Sequence, residues 1–197
     1  MINEYYGILS PVDWNSNKWQ DIPTKEDLKN SNFKYTKDNG VTFTWANFGN
    51  ELYPTEEDGY YAGLLPPFWK INLDKKKSKL VKIVFIKSSN WKNKQAYIVG
   101  FYASPIFEKG IKVSPLDLNE KLQTNIKALP KDIFLLDNYI PLNESDELKF
   151  LPNGLKFSRQ KFNYLTKENT INIMNEIINT NPKLLEKRKE ELINLLN

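Results

Sequence analysis

Trp14, Trp19, Trp45, Trp69 and Trp91 are the side chains of this sequence best suited to handling a ligand, and what indoles do is stack, not make bonds. The chain has no histidine and no cysteine, yet carries five tryptophans, ten tyrosines and eleven phenylalanines at a net charge of +4. The side chains most used for proton transfer at neutral pH, thiol attack and transition-metal ligation are therefore missing. Flat rings among lysines suit a partner with flat bases and anionic phosphates. A binder of nucleic acid is expected ahead of a catalyst.

Trp14, Trp19 and Trp91 have Asp, Asn, Ser, Lys and Gln as chain neighbours, so their rings are expected to be partly exposed. Trp45 and Trp69 are candidates for the same pocket, although a core position with the indole N–H satisfied internally suits them equally. Two or three such rings would hold a flipped base by stacking, worth roughly 1–3 kcal/mol per base, and would favour a methylated base through added apolar contact. Ser10, Asp13 and Asn47, with Asn15 and Ser104 beside them, offer donors and acceptors for a base edge. Each also fits an Asx turn or a strand end. Lys87, Lys92 and Lys94 surround Trp91 and are expected to meet the nucleic-acid backbone, whereas the run at Lys75, Lys76, Lys77 and Lys79 reads as a solvated turn. Arg159 and Arg188 are the only arginines, which favours attraction to the backbone over arginine readout of guanine.

A catalytic alternative is thin. Asp137, Glu147 and Lys149 have the residue types of a metal-dependent nuclease centre, but Glu-x-Lys arises by chance in a chain this rich in both. There is no phosphate-cradling Gly-x-x-x-x-Gly-Lys-Ser/Thr and no Gly-x-Ser-x-Gly. Neither a metal nor a cofactor is expected.

The elements that must position these residues are mostly short strands. Glu4–Leu9 is expected to be a strand stopped by Ser10-Pro11, and Thr24 to cap a helix reaching Asn30. Lys37-Asp38-Asn39-Gly40 between Phe33–Thr36 and Val41–Asn47 reads as a hairpin turn. Tyr60–Leu65, Leu80–Ile86 and Gln95–Ser104 follow as strands, the second apolar enough to be central, and Gly100 suggests a bulge or the close approach of another backbone. After a strand at Ile111–Val113, Ser114-Pro115 is expected to open a helix to about Lys127. Ile133–Leu136 and the pair Leu148–Leu151 and Leu155–Phe157 add strands. Thr166 caps a helix with Ile171, Met174 and Ile178 on one face, and Asn181-Pro182 opens another with Leu185, Leu192 and Leu196 inward. The fold class expected is α+β, mainly β: a small, twisted, partly open barrel with flanking helices over residues 1–160, then a helical tail or linker at 161–197.

Tyr5-Tyr6-Gly7-Ile8-Leu9-Ser10-Pro11-Val12-Asp13-Trp14 resembles the opening of EVE-type domains of the PUA-like superfamily, where an aromatic first strand enters a Ser-Pro-x-x-Trp-like turn. Val41–Phe48 resembles a strand ending in Asn-Phe in such domains and in the N-terminal modules of McrB-like restriction proteins, and Gln95–Ser104 is similar to one of their barrel strands. The likeness covers pieces of the first 105 residues or so. It implies a PUA-like barrel whose relatives, YTH domains among them, bind modified bases in an aromatic cage, with Trp14 the position that matches the motif directly.

The expected function is thus a non-enzymatic module that binds DNA carrying a modified base, the targeting part of a modification-dependent restriction system. A nucleotide-hydrolysing motor domain is a conceivable fusion partner. An RNA-binding PUA-like domain and a protein-interaction scaffold using the tail helices are the alternatives. No stretch approaches the roughly 18 apolar residues of a membrane span and no signal peptide is legible at the N-terminus, so a soluble, cytoplasmic protein without membrane partners is expected.

Overall fold

A computed structural model describes residues 5–19, 21–49, 55–68, 80–113, 121–186 and 188–196. Trp69 and the lysines at 75, 76, 77 and 79 lie outside the described residues. Five strands form the central sheet: β1 (Gly7–Val12), β3 (Ile83–Ser89), β4 (Ala96–Ala103), β8 (Ile133–Leu142) and β9 (Asn163–Leu165), in the order β8-β4-β3-β1-β9. β1 runs parallel to β3 and the other pairs are antiparallel. Two ribbons stand apart: β2 (Tyr61–Gly63) with β7 (Ile126–Ala128), and β5 (Gly110–Val113) with β6 (Lys121–Thr124). The class is mixed, with strands at its centre, and among the described residues the strands close no barrel.

β3 is covered on both faces, which is why its sequence is apolar at consecutive positions. Ile83 and Phe85 join one core with Leu9, Ile173, Met174 and Ile177, while Val84 and Ile86 join the other with Trp19, Trp45 and Tyr61. The first core is roofed by α4 (Lys167–Thr180) and α6 (Lys189–Leu196), with Leu192 and Leu196 buried. The segment expected as a tail is therefore docked: it supplies both β9, an edge of the sheet, and helices that cover one face. Between those helices lies α5 (Pro182–Leu185).

Several expectations hold in kind. Thr24 caps α1 (Lys25–Lys29) in a reciprocal capping box with Asp27, and Thr166 caps α4 through the Asn169 amide. Gly100 sits at a register shift in β3·β4 and β4·β8, and a Cβ there would lie 2.3 Å from the Phe134 carbonyl oxygen.

Others are corrected. β1 continues through Ser10 and Pro11 to Val12, because β9 ends opposite Leu9 and Pro11 pairs with β3 alone, at an edge where a missing N–H is tolerated. Lys34–Asn39 is helix α2, not a hairpin arm, and Thr44–Asn47 is a 3₁₀ turn. Gly40 serves as the left-handed C-cap at φ 63°, and a glycine after asparagine fits that position as well as a hairpin turn. The helix expected to reach Lys127 falls partly outside the described residues, and its second half is instead β6 and β7. Glu147–Phe150 is helix α3, and Leu155–Phe157 forms no strand.

Candidate functional site

Asp13 follows directly on β1, is only 4% exposed, and gathers hydroxyls from three separate segments. Its Oδ1 accepts from Ser31 Oγ, just beyond α1. Its Oδ2 accepts from Thr36 Oγ1 on α2 at 3.0 Å, from Thr42 Oγ1 at 2.6 Å and from Thr44 Oγ1 at 3.5 Å. The left-handed turn at Gly40 brings this about, because it folds the Thr42–Thr44 segment back beside Thr36. Burial raises the Asp13 pKa above the ordinary carboxylate value, and the hydrogen bonds from Ser31, Thr42, Thr36 and Thr44 only partly offset that.

Above Asp13 opens a cleft of about 1190 Å³. Phe33, Tyr35, Phe43 and Phe162 supply aromatic wall, Val41, Leu64, Pro66 and Pro67 aliphatic wall, and Thr36, Thr42 and Thr44 the polar floor with Asp13. Lys34, Gln123, Gln160 and Lys161 stand at the exposed rim. Lys34 is ion-paired with Asp38 at 2.5 Å. The arrangement offers flat apolar surfaces, an inner carboxylate and outer cations. It can grip a planar ligand by stacking and align it through N–H groups.

Of the described residues expected to form a pocket, Asp13 alone lines this cleft. Trp19 and Trp45 are 0% and 3% exposed, packed in the core on one face of the sheet. Trp45 thus takes the core position that suited it equally, whereas for Trp19 the polar chain neighbours misled, since Ser16, Asn17 and Lys18 are exposed while the ring that follows them is buried. Trp14 is half-buried and leans on Trp19, Tyr97 and Tyr139, with ring centroids 5.6, 6.0 and 6.3 Å away. A planar base between two parallel rings needs them about 7 Å apart, twice the contact distance, so this cluster is closed. Asn47 is a buried brace: its amide donates to the Thr44 and Leu64 carbonyls, both at 2.7 Å, and its backbone carbonyl accepts from Tyr102. Ser10 is fully buried on β1, away from any base edge. Asn15 closes a turn by accepting from the Asn17 amide, and Ser104 is exposed with φ 46°.

In the loop after β3, Trp91 is partly exposed as expected. Trp91 donates its indole N–H to Asp27 Oδ1 at 2.8 Å, pinning the loop to α1, and Lys92 lies over the ring at 5.2 Å. Burial works against the ionised Asp27, but the bonds from Trp91, Ser16 and Thr24 outweigh it and hold its pKa below the ordinary value. Lys92 and Lys94 are exposed and accessible to a phosphate. Lys87 is not: it is 3% exposed, its ammonium reaches Asn163 Oδ1 at 3.3 Å, and burial pushes its pKa down to about 7. Its place in β3 next to a polar loop suggested exposure, yet β1 and β9 cover it.

Asp137, Glu147 and Lys149 are engaged separately. Lys149 pairs with Glu176 at 2.7 Å, Glu147 accepts from the Phe157 amide, and Asp137 is exposed on β8. Among the described residues no group of three or more carboxylates could hold a metal ion.

The aromatic walls are hard to see in the sequence because Phe33, Tyr35 and Phe43 alternate with polar residues as strand positions do. The usable signal was Thr36, Thr42 and Thr44, three hydroxyls within nine positions of each other beside a glycine. No known protein family, characterised protein or solved structure matches this chain.

Proposed function

We propose that this chain is a nucleic-acid-binding module that takes an unpaired or flipped base into the cleft above Asp13, with DNA carrying a modified base as its target. The observation that carries the reading is the cleft itself: four aromatic side chains around a buried hydrogen-bonding floor, beside the end of the first strand. At about 1190 Å³ it exceeds the roughly 300–1,000 Å³ of small-molecule pockets, which favours a base together with its sugar, phosphate and neighbours. Lys34 and Lys161 at the rim suit the backbone, and Lys92 and Lys94 are exposed on the loop after β3. The resemblance of the opening strand to EVE-type domains supports the same reading, and with it a role in targeting a modification-dependent restriction system.

Fluorescence anisotropy at low salt tests it, with methylated and unmodified duplexes and single-stranded RNA of the same sequence. Preferred binding of methylated DNA is expected. Tyr35 is 62% exposed, so Tyr35→Ala leaves the core intact and should weaken binding by roughly 1–3 kcal/mol if a base stacks there. Absence of binding to every oligonucleotide, or an unchanged affinity for Tyr35→Ala, overturns the assignment, and a preference for RNA transfers it to the RNA-binding alternative.

A further inference from the structure

Resting on that reading, we propose that the base taken into the cleft is cationic: an N-alkylated base that carries a positive charge at neutral pH, of the kind N1-methyladenine or N3-methylcytosine represents. Three independent features of the cleft converge on this class.

The first is an uncompensated charge. Asp13 lines the cleft, is almost wholly buried, and among the described residues has hydroxyls but no lysine or arginine within ion-pair reach. A buried carboxylate served only by neutral donors is left short of stabilisation, and a cation brought beside it supplies what hydroxyls cannot. The second is spare acceptor capacity. A carboxylate has about four lone-pair sites, two on each oxygen. Oδ2 takes three hydroxyl donors whereas Oδ1 takes only Ser31, so Oδ1 retains room for another N–H. Both cationic bases keep an amino group conjugated to the alkylated ring nitrogen, so its N–H shares the positive charge and can make a charge-assisted bond to Asp13.

The third is the order of charge from floor to mouth. Aromatic faces attract cations, and Phe33, Phe43 and Phe162 line the walls. Among the described residues, lysines line the cleft only at its rim, where Lys34 and Lys161 are exposed. A nucleotide with a positive base and a negative phosphate is the mirror of that sequence of charges. A neutral base matches the rim and leaves the floor unpaired.

The test uses the full chain and short single-stranded oligonucleotides that differ at one central residue. N1-methyladenine and N3-methylcytosine are compared with N6-methyladenine, C5-methylcytosine and the unmodified bases by anisotropy at pH 7. The wild-type protein should bind the cationic oligonucleotides at least about tenfold more tightly than the neutral methylated ones, and Asp13→Asn should remove that preference. Equal or tighter binding of the neutral methylated oligonucleotides by the wild type overturns the inference and leaves the nucleic-acid reading standing. Retention of the preference by Asp13→Asn also overturns it, because the charge would then be recognised elsewhere. Binding of no oligonucleotide at all overturns both. The wild-type comparison decides the matter even if Asp13→Asn fails to fold.

Discussion

Replacing Lys87 by methionine should stabilise this protein at neutral pH, and the gain should fade as the pH rises. Lys87 is 3% exposed and its amine has a pKa of about 7 against an ordinary 10.5. Between those values the unfolded chain carries a proton that the folded chain does not, so stability rises with pH through that window and the full penalty applies below it. At about 1.36 kcal/mol per pH unit, the drop corresponds to on the order of 5 kcal/mol. Methionine fills a similar volume without a charge to desolvate, but it leaves Asn163 Oδ1 without its donor, a loss of about 1–3 kcal/mol. A net gain of roughly 2–4 kcal/mol is expected for Lys87→Met at pH 7. It should shrink by up to about 1.4 kcal/mol per pH unit towards pH 9, near which the two proteins become equally stable. Urea unfolding followed by tryptophan fluorescence at several pH values between 6.5 and 9.5 measures this. Parallel stability curves for the two proteins would refute the reasoning, since they would mean that Lys87 remains charged in the folded state. The same variant should bind oligonucleotides as the wild type does, because its amine lies beneath the sheet and meets no phosphate.

Gly100→Ala should lower stability by about 3 kcal/mol or more in urea titrations, as its Cβ would meet the Phe134 carbonyl oxygen at 2.3 Å and the Phe48 ring at 2.5 Å. An effect under about 1 kcal/mol would mean that the bulge relaxes freely. Trp91→Phe removes the indole N–H from Asp27 and should cost about 1–2 kcal/mol at pH 7. Because the Asp27 pKa is held below 3.8, its bonds stabilise the fold above that pH, and the deficit of the variant should narrow in acid as the carboxylate protonates. A deficit constant from pH 7 to pH 3 would assign the loss to packing instead.

Legibility in the sequence followed how local the cause was. The capping box at Thr24 and the cap at Thr166 depend on residues three apart, and both helices start where those residues indicate. β3 and β4 carry their burial in their own composition. At Lys37-Asp38-Asn39-Gly40 two local solutions compete, since a left-handed glycine closes a hairpin or a helix equally well. What decides is tertiary: the helix puts Thr36 against Asp13, satisfying a buried carboxylate that a hairpin would have to serve otherwise.

The same competition between local and tertiary causes separates Trp19 from Asp13. A tryptophan's polar chain neighbours say little about its own exposure, because the loop that carries them can lie flat on a sheet with the ring beneath, as Trp19 does. A lone aspartate after a strand is different. Once buried, it must find donors, and the short hydroxyl side chains of Ser31, Thr36, Thr42 and Thr44 meet that need without bringing a counter-charge. Lysine or arginine in any of those places would have neutralised Asp13 internally and made it a structural ion pair. Hydroxyls bring no counter-charge, so the chain's own way of satisfying Asp13 leaves a buried carboxyl group without an ionic partner among the described residues, at the wall of a cleft.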